Sequence, residues 1–239
     1  MSAQPELVNR IAAAKKRIDA VRKEVGRVYI GPSATVDHML VALLAGGHVL
    51  LEGVPGVAKT TLAKAFAASL GCTVRRIQFT PDLLPADITG TYVLSPRDGT
   101  FSFRQGPIFA HVVLADEINR APPKTQAALL EAMQEQTVTV EGDSFGLPRP
   151  FMVVATQNPI DLEGTYPLPE AQIDRFLIHL DIGYPKREDE IAMLMAHHAA
   201  PAHAGPVLDA ETVVAMQGLA RRRHADTARS AYGVGGSER

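Results

Sequence analysis

The stretch Gly53-Val54-Pro55-Gly56-Val57-Ala58-Lys59-Thr60 sets a glycine-bearing turn, a lysine and a hydroxyl in one place. An apolar run, Val49-Leu50-Leu51, precedes it, and a helix-like run, Thr61-Leu62-Ala63-Lys64-Ala65-Phe66-Ala67, follows. A strand, a tight turn and a helix start in that order aim several backbone N–H groups at one point. The helix dipole adds a field that favours an anion there. The turn and the next residue, Thr61, are therefore expected to cradle phosphates. Lys59 is expected to reach the β- and γ-phosphates, and the Thr60 hydroxyl to ligate Mg²⁺. Ala58 stands where a glycine usually precedes the lysine. It is read as a helix-entry residue with negative φ, with Gly53 and Gly56 as the sites of positive φ or close phosphate approach.

Further along, the apolar run Val112-Val113-Leu114-Ala115 ends in Asp116-Glu117. A buried strand that delivers two carboxylates at its carboxyl end suits Mg-nucleotide chemistry. Asp116 is expected to hold Mg²⁺ through water, and Glu117 to activate or orient an attacking water. Ala155-Thr156-Gln157-Asn158-Pro159 ends a second run, and the Asn158 amide is read as positioning that water from the γ-phosphate side. Arg175, in Ile173-Asp174-Arg175-Phe176, offers a planar charge to γ-phosphate oxygens. Facing outward, it would serve the nucleotide of a neighbouring subunit.

These groups need a frame. Runs over 49–51, 74–79, 111–115, 151–156 and 176–182 read as short strands separated by helical stretches. That pattern predicts an α/β fold with a mainly parallel five-stranded sheet covered on both faces, and ligands at the carboxyl ends of its strands. Leu7, Ile11, Ala14, Ile18, Val21, Val25 and Val28 recur at steps of four and three, so residues 1–25 form an amphipathic helix. It packs on the main body, or alternatively pairs with another chain. Residues 80–90, with the turn Arg97-Asp98-Gly99-Thr100, look like an insertion, and 137–150 like a hairpin. Past Pro185 the pattern gives a helix over 186–200, a linker over 199–206, a helix over 210–223 and a flexible tail from Gly233.

The 239 residues suffice for one or two domains with a real core. With 46% hydrophobic residues, 21% charged residues and a net charge of −2, the composition is globular and gives no electrostatic case for nucleic-acid or anionic-membrane binding. Cys72 is alone, which rules out an internal disulfide and suits a reducing compartment. There is no secretory leader pattern and no membrane-length apolar run, so a cytoplasmic protein is expected.

In combination the motifs are specific. The phosphate loop, Asp-Glu, Thr-Gln-Asn and Asp-Arg-Phe come in the order of an AAA+ ATPase. The wording of 46–56, 78–90, 116–121 (Asp-Glu-Ile-Asn-Arg-Ala) and 169–176 resembles the MoxR family over about residues 26–200. The resemblance implies a P-loop NTPase of AAA+ type, with an ATPase core over 26–184 and a short helical lid over 185–239. It implies Walker A at 53–60, Walker B at Asp116-Glu117, sensor 1 at Asn158 and an arginine finger at Arg175. A helix-2 insert at about 80–105 and a hairpin before sensor 1 at about 137–150 are implied too, with Arg120 as a second interface arginine. ATP and Mg²⁺ are the implied cofactors. Ring oligomers, typically hexamers, are implied, as are chaperone-like maturation of enzymes or metal-containing complexes and partners with von Willebrand factor A domains.

Two positions depart from the family pattern. Pro32 follows Gly31 where the family usually has glutamine in the adenine-side loop, which leaves backbone contacts from 28–30. No arginine of 221–229 stands in a Ser-Pro-Arg-like sensor 2 context, so an incomplete lid is expected. Two rival readings stay open: a nucleotide-gated assembly module with little hydrolysis, and a nucleic-acid motor. The loop reads phosphate rather than base, so it does not separate ATP from GTP. His197, His198 and His203, and Arg221-Arg222-Arg223-His224, read as solvated surface.

Overall fold

The computed structural model describes residues 3–54, 58–97, 99–159, 164–197 and 203–231, with backbone only at 3–5, 196–197 and 222–231. Pro55, Gly56 and Val57 of the phosphate loop, Asp98, His198 and the tail from Gly233 lie outside the described residues.

The chain opens with α1 (Ala3–Gly26) and α2 (Ser33–Ala45), followed by β1 (Val49–Glu52), α3 (Lys59–Ser69) and β2 (Val74–Gln78). A short α4 (Pro85–Thr89) leads into β3 (Gly90–Leu94) and β4 (Phe101–Gln105). Next come β5 (Val112–Asp116), a 3₁₀ turn (Ile118–Arg120), α5 (Pro123–Glu135), β6 (Thr137–Val140) and β7 (Asp143–Gly146). The last elements are β8 (Met152–Gln157), α6 (Glu170–Ile173), β9 (Ile178–Asp181), α7 (Arg187–His197) and α8 (Ala210–Ala231).

The expected five strands form one sheet in the order β2-β5-β8-β1-β9, and each pair is parallel. Its central strands carry apolar side chains in unbroken runs because both faces are covered. Val49 and Leu51 point into a core with Leu62 and Phe66 of α3, Leu70 just after it, and Met39 and Leu43 of α2. Leu50 between them points the other way, toward Leu129 and Met133 of α5 and Phe79 and Ile88. The period of two along one strand thus feeds two separate cores.

The amphipathic α1 packs on this body: Val21 and Val25 are fully buried in the first core, beside α2 and α3. The intramolecular reading of its stripe therefore accounts for its C-terminal half. The segment 80–105 carries a structure the sequence did not spell out, an antiparallel β3–β4 hairpin. The expected hairpin over 137–150 is present as β6–β7. The two hairpins lock together, with Phe103 stacked on Phe145 at a centroid distance of 4.1 Å and the Tyr92 hydroxyl donating to Asp143. Helix α8 runs eight residues past the expected end at 223. It lies along α2, burying Val213, Met216 and Leu219, while Gln217 Nε2 donates to Leu43 O at 2.7 Å.

Candidate nucleotide site

The site forms where β1, β5 and β8 end side by side. Gly53 leaves β1 with its N–H donating to Gln157 O at 3.3 Å. A Cβ there would lie 2.3 Å from Ile182 O, so only glycine lets the loop start pass beneath the end of β9. Val54 follows, partly buried against the first core.

Ala58 does not enter the helix as expected. It has φ 59° and ψ 18°, in the left-handed region, and caps α3 from there. The backbone geometry that suits a glycine is kept while the residue is not, at a strain of roughly 1 kcal/mol. The carbonyl of Ala58 accepts the Leu62 N–H at 2.9 Å, so α3 still starts regularly.

Lys59 Nζ folds along the loop. It donates to Gly53 O, and to Val54 O and Gln157 O at 3.2 Å each. These carbonyls hold the ammonium at the mouth of the turn. Thr61 is exposed in the first turn of α3. Thr60 Oγ1 reaches across to Asp116, 3.1 Å from Oδ1 and 3.2 Å from Oδ2.

Asp116 is the centre of the site. It is buried at the end of β5, and Thr156 Oγ1 donates to its Oδ1 at 2.6 Å. Arg76 of β2 grips Oδ2 through Nε at 3.0 Å and Nη2 at 2.7 Å. Burial pushes the carboxyl up, but the hydrogen bonds from Thr156, Arg76 and Thr60 outweigh it and hold the pKa below the usual 3.8. Asp116 is therefore an anion at neutral pH. An anionic carboxylate beside a hydroxyl is an all-oxygen donor set, which suits Mg²⁺ with most of its water retained.

Glu117 also takes a left-handed conformation, φ 58°, which turns its side chain out of the strand. Its N–H donates to Thr156 Oγ1 at 2.9 Å, so one hydroxyl ties both acids to β8. Its carboxylate accepts from Gln78 Nε2 at 3.0 Å and pairs with Arg120 Nε at 3.2 Å. Arg120, expected at a subunit interface, thus ion-pairs with an acid of its own chain. Asn158 is buried just past the end of β8, and its carbonyl accepts from Asn119 Nδ2 at 3.0 Å. Arg175 sits elsewhere. It is exposed, and its Nη1 donates to Leu130 O on α5 at 2.9 Å.

A cleft of about 140 Å³ opens between the start of α2 and the β9–α7 junction. Tyr29, Gly31, Pro32, Ile182 and Tyr184 are among its walls. The Tyr29 hydroxyl packs closely over Gly31, 2.4 Å from where a Cβ would stand, so a larger residue there would have to displace the Tyr29 ring. Pro32 precedes α2 with φ −58°, a value its ring already imposes.

Arg76 and Gln78 escaped the sequence reading. Alternation along β2 puts both on one face, but only the register of β2 on β5, with Gln78 opposite Asp116, makes them part of the site.

Residues 48–178 match the family described as "ATPase family associated with various cellular activities (AAA)". "Chaperone MoxR1" of Mycobacterium tuberculosis is 48% identical over 210 residues, covering 88% of this chain and 56% of that protein. "Protein MoxR" of Methylorubrum extorquens is 35% identical over 170 residues, 69% of this chain and 49% of that protein. The chain belongs to the MoxR branch of the AAA ATPase family. A solved protein from Cytophaga hutchinsonii, described as a candidate ATPase, shares this AAA fold. It superposes with a TM-score of 0.78 at 39% identity, over 91% of this chain and 65% of that one. The MoxR-type chain spans a little over half the length of its M. tuberculosis relative. No helix among its described residues is long and apolar enough to cross a membrane.

Proposed function

We propose that this chain binds Mg-ATP at the junction of α3, β5 and β8 and hydrolyses it in a ring oligomer, the hexamer typical of the family it resembles, to drive chaperone-like remodelling or maturation of partner proteins. The observation that carries the reading is the shared bonding of Asp116 to Thr60 and Thr156, with Glu117 tied to the same Thr156.

In this reading the backbone N–H groups of 53–60 other than Pro55, which has none, and the Lys59 ammonium bind the phosphates. Thr60 and Asp116 hold Mg²⁺, which supplies charge neutralisation for the phosphates. Glu117 takes the proton of the attacking water, and Asn158 orients that water. Arg175, exposed on its own subunit, reaches the γ-phosphate of the next. Residues 185–239 serve as a lid region, and 80–105 and 137–150 as the two family insertions. A protein with a von Willebrand factor A domain is the partner class the resemblance supports, and the cytoplasm the compartment.

A second reading is an assembly module that binds nucleotide and hydrolyses it little until a partner engages. The engagement of Glu117 by both Gln78 and Arg120 favours it. Mg-ATP turnover measured across protein concentration tests the first reading. Turnover per subunit is expected to rise with concentration as sites are completed by Arg175. Turnover that is absent at every concentration supports the assembly module, and turnover that is constant and Arg175-independent rules out an intersubunit site.

A further inference from the structure

Asp116 has no lone pair to spare. A carboxylate offers about four acceptor sites. Here Oδ1 accepts from Thr156 and Thr60, and Oδ2 from Arg76 Nε and Nη2. A cation, or a water bound to it, can use an Asp116 oxygen only if one of these donors gives way.

The donors differ in how freely they can move. Thr156 is buried in a central strand and also accepts the Glu117 N–H, so its hydroxyl is fixed twice. Thr60 lies in the first turn of α3, on the phosphate side of the site. Arg76 lies near the edge of the sheet on β2, with 47% of its side chain exposed, and can swing into water at little cost.

We infer that Arg76 is the exchangeable counter-cation of Asp116: it holds Oδ2 against a divalent metal and so sets how much Mg²⁺ the site requires. The inference rests on the nucleotide reading above. Arginine suits this role better than lysine. Its planar fork places two N–H groups on Oδ2 while Nη2 also donates to Gln78 Oε1 at 2.5 Å. The Gln78 amide is thereby oriented with its nitrogen toward Glu117. When Arg76 leaves Asp116, Gln78 loses that orientation, so one guanidinium links the metal-holding acid to the water-activating acid. Arg76 is a positioning residue, since it touches neither water nor phosphate in this role.

The test is equilibrium binding of a fluorescent ADP analogue to the full chain during a Mg²⁺ titration, which requires no turnover. Arg76→Gln removes the competing charge, and its half-maximal Mg²⁺ concentration is expected to fall about tenfold. Arg76→Lys keeps the charge without the fork, and its midpoint is expected about threefold below wild type. Midpoints equal to or above wild type in both variants, with far-UV circular dichroism unchanged, overturn the inference. Should Arg76→Gln fail to fold, the Arg76→Lys midpoint decides alone. A wild-type chain that binds the analogue no better than Lys59→Ala rejects the nucleotide site, and this inference with it.

Discussion

Thr60 Oγ1 lies 3.1 and 3.2 Å from the two carboxylate oxygens of Asp116, a residue 56 positions further along the chain. The first turn of α3 and the end of β5 are thereby joined through one hydroxyl. That contact gives a direct expectation. Thr60→Val keeps the shape and removes the hydroxyl, so affinity for Mg-nucleotide should drop about tenfold or more while metal-free nucleotide binding changes little. Titrations with and without a chelator separate the two. Equal losses in both would mean that Thr60 serves the loop backbone rather than the metal.

Glu117 should separate binding from chemistry. Glu117→Gln keeps the volume and the hydrogen bond partners but removes the base. Nucleotide affinity should hold within a few-fold, and turnover should fall about 10²- to 10⁴-fold. Turnover at the wild-type rate would sink the assignment.

In the proposed reading Arg175 acts on a neighbouring subunit's nucleotide. Arg175→Ala and Glu117→Gln subunits should each be nearly inactive. Mixed, they should regain a measurable share of turnover, because a Glu117→Gln subunit can lend its Arg175 to an intact site next door. No recovery in a mixture shown to co-assemble would place Arg175 outside the reaction.

His48 makes stability depend on pH. The ring is buried, with Nδ1 accepting the Val153 N–H at 3.0 Å and Nε2 facing Met133 O at 3.2 Å. Burial pulls its pKa from 6.5 to about 4, with the Met133 carbonyl partly opposing. The unfolded chain therefore binds the extra proton first. Stability should be full above pH 6.5 and decline from there to about pH 4, by about 2 kcal/mol at pH 5. Urea midpoints at pH 7.5, 6 and 5 should show the slope, and His48→Gln should flatten it while being less stable at pH 7.5.

Ala58 predicts a gain. Glycine tolerates φ 59° where alanine is strained, and the relief outweighs the extra freedom glycine has when unfolded. Ala58→Gly should raise stability by about 0.5 kcal/mol, roughly 1–2 °C in Tm. Ala58→Val should lower it by more, because a β-branched residue fits that conformation poorly. A scan in which glycine is the least stable of the three would show that the loop relaxes away from the left-handed conformation.

The positions of the candidate groups were largely legible before the fold. Lys59 and Thr60 follow a turn, Asp116 and Glu117 end an apolar run, and each such signal is local. Strand–turn–helix geometry fixes where N–H groups and carboxylates go within about ten residues, so these candidate positions could be named from spacing. The five strands were legible for the same reason, since a doubly covered sheet needs unbroken apolar runs. The β3–β4 hairpin was harder, because most of its residues face solvent and its strands are only five residues each.

The sequence by itself determined that a phosphate loop, two acids and an arginine belong to one chain with an α/β frame. The tertiary structure decided which of them touch. It set β2 beside β5 and so brought Arg76 onto Asp116 and Gln78 onto Glu117. It turned the Arg175 guanidinium onto the Leu130 carbonyl of α5, and stacked Phe103 on Phe145 between two hairpins. Strand order and register are long-range choices, made by how buried faces fit together. A linear pattern carries each face but not its neighbour.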